Sequence, residues 1–171
     1  TDGFTETGCL VELKGSSLQT ISSVGGETFY NLTINNSSGV KLLCDLNVTG
    51  TLTITSGCID LNGHSLTAST INESNPPVAS CHSTHTALLD AGGEVTISTN
   101  DIDNGSTVEC GAPILSLDQA HFTCADIGDN VVTLTVKDIY GVEETCTSTV
   151  TITETTLPSL TCAVNGDQPV N

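Results

Sequence analysis

Eight cysteines are the residues of this chain best equipped for chemistry, and that chemistry is oxidation to disulfides. Zinc binding is the other outlet for so many thiols. Structural zinc sites draw on close pairs such as C-x-x-C, and the sequence contains none. We therefore expect four bridges and an oxidising compartment. Two of the cysteines close the same short phrase, first as Pro77-Val-Ala-Ser-Cys81 and again as Pro158-Ser-Leu-Thr-Cys162. A phrase repeated at the spacing of one small domain reads as the start of a module and then the start of a second.

The acidic side chains come next. Asp101, Asp103 and Asn104 form a compact oxygen cluster before Gly105, and Asp90, Asp126, Asp129 and Asp138 sit in other turns. Calcium takes six to eight oxygens, so it is the one cofactor this pattern admits. No Glu occupies the twelfth position of an EF-hand loop, and Asp and Asn also make turns by bonding their own backbone. His64, His82, His85 and His121 suggest no site. His82 and His85 point to opposite faces of an extended chain. Thr51, Thr53 and Thr55 recur at every second residue, which suits an ordinary solvent-facing strand better than an ice-binding array. The Asn-x-Ser/Thr sequons starting at Asn31, Asn35, Asn36, Asn47, Asn72 and Asn104 matter only in a glycosylating host.

Composition excludes several classes. The 171 residues include 3 Lys+Arg against 20 Asp+Glu, a net charge of −17. Such a chain repels nucleic acid and anionic lipid and attracts cations. A hydrophobic content of 37%, rich in Thr, Val and Ile, argues against disorder. The absence of Met leads us to expect a processed protein or a segment of a longer one. Neither a signal peptide nor an apolar run of membrane-spanning length is present.

The elements that must position these groups are all strands. Residues 1–28 contain a strand at Cys9-Leu-Val-Glu-Leu13 and a loop at Ser22–Gly26. Residues 29–71 alternate in short strands broken by Gly and Asn, as in the stacked coils of a β-solenoid. Alternation turns Leu32, Ile34, Leu46, Val48, Leu52, Ile54, Ile59 and Leu61 inward. The step from Cys44 to Cys58 is a plausible coil, so these two could stack and bridge. Residues 72–77 read as a linker. Residues 78–155 carry the strands and turns of an immunoglobulin-like sandwich: Val78–Cys81 with Thr86–Asp90, then Glu94–Ser98, Ile114–Leu117, Val131–Val136 and Cys146–Ile152. Residues 156–171 form a connector strand.

Asp90-Ala-Gly-Gly-Glu-Val-Thr-Ile, Asp101-Ile-Asp-Asn-Gly-Ser106, Phe122-Thr-Cys124, Val132-Thr-Leu-Thr-Val-Lys-Asp138 and Thr145-Cys-Thr-Ser-Thr-Val150 resemble the HYR-like immunoglobulin-type repeats of very large secreted Bacteroidetes adhesins. The resemblance covers roughly residues 77–155, and residues 29–70 resemble the β-solenoid segments of such surface proteins. It implies a secreted or cell-surface location, adhesion or scaffolding, and no catalysis. In a sandwich of this kind the first and last strands can run side by side, so Cys81–Cys146 is the first pairing expected. Cys110 and Cys124 flank the Ile114–Leu117 strand and form the second. Bridges of these lengths stabilise by about 3–4 kcal/mol. Cys9 and Cys162 remain, to bridge within the chain or between chains.

The sequence thus predicts an all-β chain: a short β-solenoid-like stack, an immunoglobulin-like sandwich and a C-terminal single strand. It is expected to be a structural or adhesive, non-enzymatic subunit of an extracellular bacterial fibre. Its partners are further copies or neighbouring repeats, with no nucleic acid and no membrane insertion. Assembly would run head to tail, with Leu160, Cys162 and Val164 of one strand meeting Cys9 and Val11 of the next subunit. The alternative is a secreted carbohydrate-binding β-module of a multidomain adhesin. Cleavage of sugars is disfavoured, because the only cations are Lys14, Lys41 and Lys137.

Overall fold

Period-two alternation makes this chain strand along most of its length. The structure is a computed structural model and describes residues 8–154. Its first half contains β1 (Leu10–Gly15), β2 (Gln19–Ile21), β3 (Glu27–Phe29), β4 (Asn31–Asn36), β5 (Val40–Leu42), β6 (Leu46–Ser56), β7 (Ile59–Asp60) and β8 (Leu66–Glu73). Every pairing among them is parallel: β1-β4-β6-β8 along one face, β3 on β6, and β2-β5-β7 on another. This is β-solenoid-like stacking. Its register sets Leu10 beside Asn31, Leu32 beside Leu52 and Val40 beside Ile59, one coil apart each time. Hydrogen bonds between successive coils, such as Thr51 N to Asn31 Oδ1 at 2.8 Å, bridge 20 positions of sequence.

In-register parallel stacking sets like side chain on like. Val11, Leu32, Leu52 and Ile71 form one column, and Leu13, Ile34 and Ile54 form its neighbour. Leu32, Ile34, Val40, Leu42, Val48, Leu52 and Ile59 are fully buried, and Leu46 and Ile54 nearly so. Leu61 is only half-buried at the margin of this core. Coils this close leave no room for a side chain at Gly57, where a Cβ would stand 1.8 Å from the Asn36 carbonyl oxygen and φ is +75°. Asn36 itself is buried but fully engaged. Its Nδ2 donates to Ser17 O at 2.8 Å and Gln19 Oε1 at 2.9 Å, and its Oδ1 accepts from Ser38 N at 3.0 Å.

The second half holds β9 (Thr84–Leu88), β10 (Glu94–Thr96), a helical turn α1 (Thr99–Ile102), β11 (Ile114–Leu117), β12 (His121–Thr123), β13 (Gly128–Lys137) and β14 (Glu143–Thr153). One sheet runs β11-β13-β14-β9, with β9 parallel to β14, and a small sheet pairs β10 with β12. Both feed one core, in which Ile102, Phe122, Val132, Leu134, Val136, Val150 and Ile152 are buried. The β13–β14 hairpin gives this unit a direction. Its turn, Asp138–Val142, lies at the end facing the stack, and Gly128 pairs with Ile152 at the far end.

The structure differs from the sequence expectation in several elements. The stack begins at Leu10, so part of the 1–28 segment is its first coil, and β8 carries it to Glu73 inside the expected linker. The helical turn α1 and strand β12 were not foreseen. Val78 and Cys81 make isolated bridges to Thr107 and Asp103 in place of a strand. The 156–171 connector, with Leu160, Cys162 and Val164, lies outside the described residues.

Candidate functional site

The two halves meet where the open top of the stack faces the β13–β14 turn. That turn is built by Asp138, whose Oδ1 accepts from Tyr140 N at 2.8 Å and Val142 N at 2.9 Å. The arrangement projects Tyr140 onto the stack core. Its hydroxyl accepts from Ile59 N at 2.6 Å and lies 3.3 Å from Ile59 O, to which it donates. Burial pushes the phenol pKa up to about 12, so it remains a donor throughout the physiological range. Beside it, Cys58 of the stack is bonded to Cys110 of the second half, with a Cα–Cα distance of 5.6 Å. Asn75 Nδ2 donates to Glu109 Oε2 at 3.1 Å across the same seam. A groove of about 710 Å³ runs along it, with Leu18 and Leu61 on the stack side and Gly111 and Ile139 opposite.

Cys81 and Cys146 are joined as expected, at a Cα–Cα distance of 5.8 Å. The other two proposed pairs are corrected. One coil spans Leu32 to Leu52 or Val40 to Ile59, well beyond the step from Cys44 to Cys58, so these two cysteines do not stack. Cys44 is a buried thiol pointing at Ile21 O, 3.8 Å away, and Cys58 is turned outward to Cys110. Cys110 and Cys124 lie at opposite ends of the second unit. Cys124 is an exposed thiol 3.5 Å from Gly93 O, in a cleft with Asp90 and Glu154 at the far end. Cys9 is exposed just before β1, and Val11 is half-buried in the bottom coil. Cys162 lies outside the described residues.

The structure gives the acidic cluster other duties than calcium. Asp101 Oδ2 accepts from Ser98 N at 2.7 Å and Ser98 Oγ at 2.8 Å, which starts the helical turn. These bonds hold its pKa below the usual carboxylate range. Asp103 Oδ1 accepts from Ser106 N at 2.9 Å, and the backbone carbonyl of Asn104 accepts from Ser80 Oγ at 3.1 Å. Asp126 repeats the Asp101 device with Thr123, and Asp90 bonds Gly92 N and Glu94 N. Among the described residues no group of three His, Cys, Asp or Glu side chains is placed to hold a metal. The acidity of the chain is thus partly a turn-building inventory.

Sequence reasoning missed the seam. The alternation Ile71-Asn-Glu73 was its one signal, because it carries an ionisable side chain into an apolar column. No family model matches the chain, and no curated protein matches it. The two disulfides fit an oxidising environment. Among the described residues, no helix is long and apolar enough to cross a membrane.

Proposed function

We propose that this chain is a structural module of an extracellular bacterial surface fibre or adhesin, non-catalytic and joined to its neighbours end to end. The observation that carries this reading is the stapled seam. Two unlike β units are joined by a covalent bridge, a half-buried tyrosine and a hydrogen-bonded asparagine, as a load-transmitting or spacing element requires. In this reading the second unit is an immunoglobulin-like sandwich of the HYR-like kind. The 156–171 segment pairs with the edge strand β1 of the next copy. Among the described residues that edge has one parallel partner, β4, and carries Leu10 with 65% of its surface exposed. A contact of this kind does not close on itself and extends a filament.

Chemistry-bearing residues support a scaffold by where they are spent: four cysteines in bridges and the aspartates in turns. Aromatic residues support it over the sugar-binding alternative. Phe29 and Phe122 are buried and Tyr140 serves the seam, which leaves Tyr30 as the exposed aromatic among the described residues. The test is deletion of residues 156–171, followed by electron microscopy. Loss of polymers, with Cys81–Cys146 and Cys58–Cys110 intact by mass mapping, is the expected result. Unchanged fibres would refute strand donation, and specific retention on a glycan array would favour the alternative.

A further inference from the structure

Apolar side chains stand uncovered at two places remote from the seam. One is the first coil of the stack, two coils from the coil that carries Ile59. Val24, in the loop between β2 and β3, has 96% of its surface exposed, and Tyr30 follows directly on β3 with 42%. Leu10, also exposed, pairs with Asn31 beside Tyr30. The exposed charged side chains between residues 8 and 30 are Glu12 and Lys14, which bond each other. This coil is therefore close to neutral at its surface, in a chain of net charge −17. The other place is the far end of the second unit, where Leu88, Ile127 and Val131 are exposed by 49%, 48% and 68%. Leu88 pairs with Thr153 from one side. The β13–β14 register, carried one residue beyond Gly128 and Ile152, sets Ile127 opposite Thr153 from the other. Val131 stands two rows inward on the same outer face, because side chains alternate along a strand. Asp129 lies between Ile127 and Val131, and its Oδ1 accepts from Thr151 Oγ1 at 2.7 Å. Glu154, the last described residue, follows Thr153 directly.

We infer that this outer face is a docking surface for the first coil of a second copy, with Leu88, Ile127 and Val131 of one subunit closing on Leu10, Val24 and Tyr30 of the next. The inference rests on the end-to-end reading above and adds side-chain packing to strand donation. In that reading the 156–171 segment leaves beside Leu88 and Ile127 and runs to β1 of the next copy. It therefore carries this face to the coil that holds Leu10 and Val24. Charge selects the same surface. Copies of net charge −17 repel one another over most approaches. Asp90, Asp126, Asp129 and Glu154 gather at the far end. They meet least repulsion at a coil whose exposed charges cancel. Tyrosine is also a favoured anchor in such contacts. The two faces differ, so each subunit offers one of each, and the contact propagates instead of closing.

The experiment uses the full chain with Val24→Asp or Val131→Asp, both at exposed positions, and reads self-association by sedimentation velocity. Mass mapping of Cys58–Cys110 and Cys81–Cys146 checks that each variant is folded. Tyr30→Ala and Leu88→Asp stand in for a variant that is not. Each variant alone should associate about tenfold more weakly or worse, because a carboxylate then enters an apolar contact between like-charged copies. Mixed in equal amounts, the two should form a dimer and stop there. Val131→Asp still offers a first coil and Val24→Asp still offers an outer face. Val78→Asp, at a 58% exposed position outside both faces, is the control and should associate like the unaltered chain. Unchanged association in Val24→Asp overturns the proposal, as does an equal loss in Val78→Asp. A mixture no better associated than its components also overturns it. Loss in Val24→Asp with none in Val131→Asp gives the first coil to another occupant and overturns it too. Deletion of residues 156–171 separates this contact from strand donation. Polymers lost on deletion but kept in both point variants leave strand donation standing and the docking surface refuted. The reverse pattern keeps the docking surface and refutes strand donation.

Discussion

The stack and the second unit solve the same stability problem differently. In the stack, each coil repeats the last, so apolar residues meet their like in register, and neither described disulfide lies within it. In the second unit the sheets are unequal, and the segment before β9 has little ladder of its own. Cys81 there is tied to the last strand through Cys146. Repetition supplies cohesion where the sequence is periodic, and a covalent link supplies it where topology brings distant segments together. The difference extends to polar groups. Asn36, buried in the stack, has all its bonds, whereas Ser148 in the second core has an unpartnered hydroxyl.

The largest expected effect comes from removing the tie. Cys81→Ala with Cys146→Ala opens a loop of 65 residues, for which chain entropy predicts a loss of about 4 kcal/mol. Amide exchange should show that loss at Val132 and Leu134, with Leu52 and Ile54 unchanged. Equal loss in both halves would mean that they unfold as one body, and the contrast drawn above would fail.

Next is the stack's own weak point. Leu52 is fully buried between Leu32 and Ile71 in a column with no covalent support. Leu52→Ala should cost about 3 kcal/mol, the transfer term plus an unfilled cavity. Protection of Leu32 and Ile34 amides should drop more than that of Val132. A loss under about 1 kcal/mol would show that the coils relax onto the gap and that register packing matters less than argued.

What the sequence revealed follows the same division. Alternation in Asn31–Asn36 and Leu46–Ser56 exposed the inward residues of the stack, because a period of two is a local property. Coil length was not local. It depends on how many residues the corners take, so Cys44 and Cys58 were paired over too short a step. Val131–Val136 announced its strand through β-branched content and Ile114–Leu117 through its apolar run, whereas the Cys81–Cys146 pairing was implied by the resemblance to immunoglobulin-like repeats. The helical turn at Thr99–Ile102 is too short for periodicity to show. Its only sign was Ser98 three residues before Asp101, a pairing that Thr123 and Asp126 repeat. The seam was least legible, since Cys58–Cys110 and Tyr140–Ile59 join residues 52 and 81 positions apart across units read separately.

The smallest effect tests the polar half of the contrast. Ser148 lies opposite Val132 in the β13–β14 pair, 2% exposed, and its Oγ has no hydrogen-bond partner. A buried hydroxyl that gave up water without replacement lowers stability by roughly 1–3 kcal/mol. Ser148→Ala removes that oxygen and keeps the Cβ, so it should stabilise the second unit by about 0.5–1 kcal/mol in denaturant unfolding. Ser106→Ala is the control. Ser106 is 8% exposed, but its Oγ accepts from Ser80 N at 3.0 Å and donates to Ser80 O at 3.2 Å. Truncation there orphans two backbone groups and should destabilise by about 1 kcal/mol or more. Opposite signs from two serine-to-alanine changes in one unit would identify hydrogen-bond satisfaction, rather than burial alone, as the deciding quantity. Destabilisation by both would mean that Ser148 has a partner in solution, such as an internal water, and that the second core is as well satisfied as the stack.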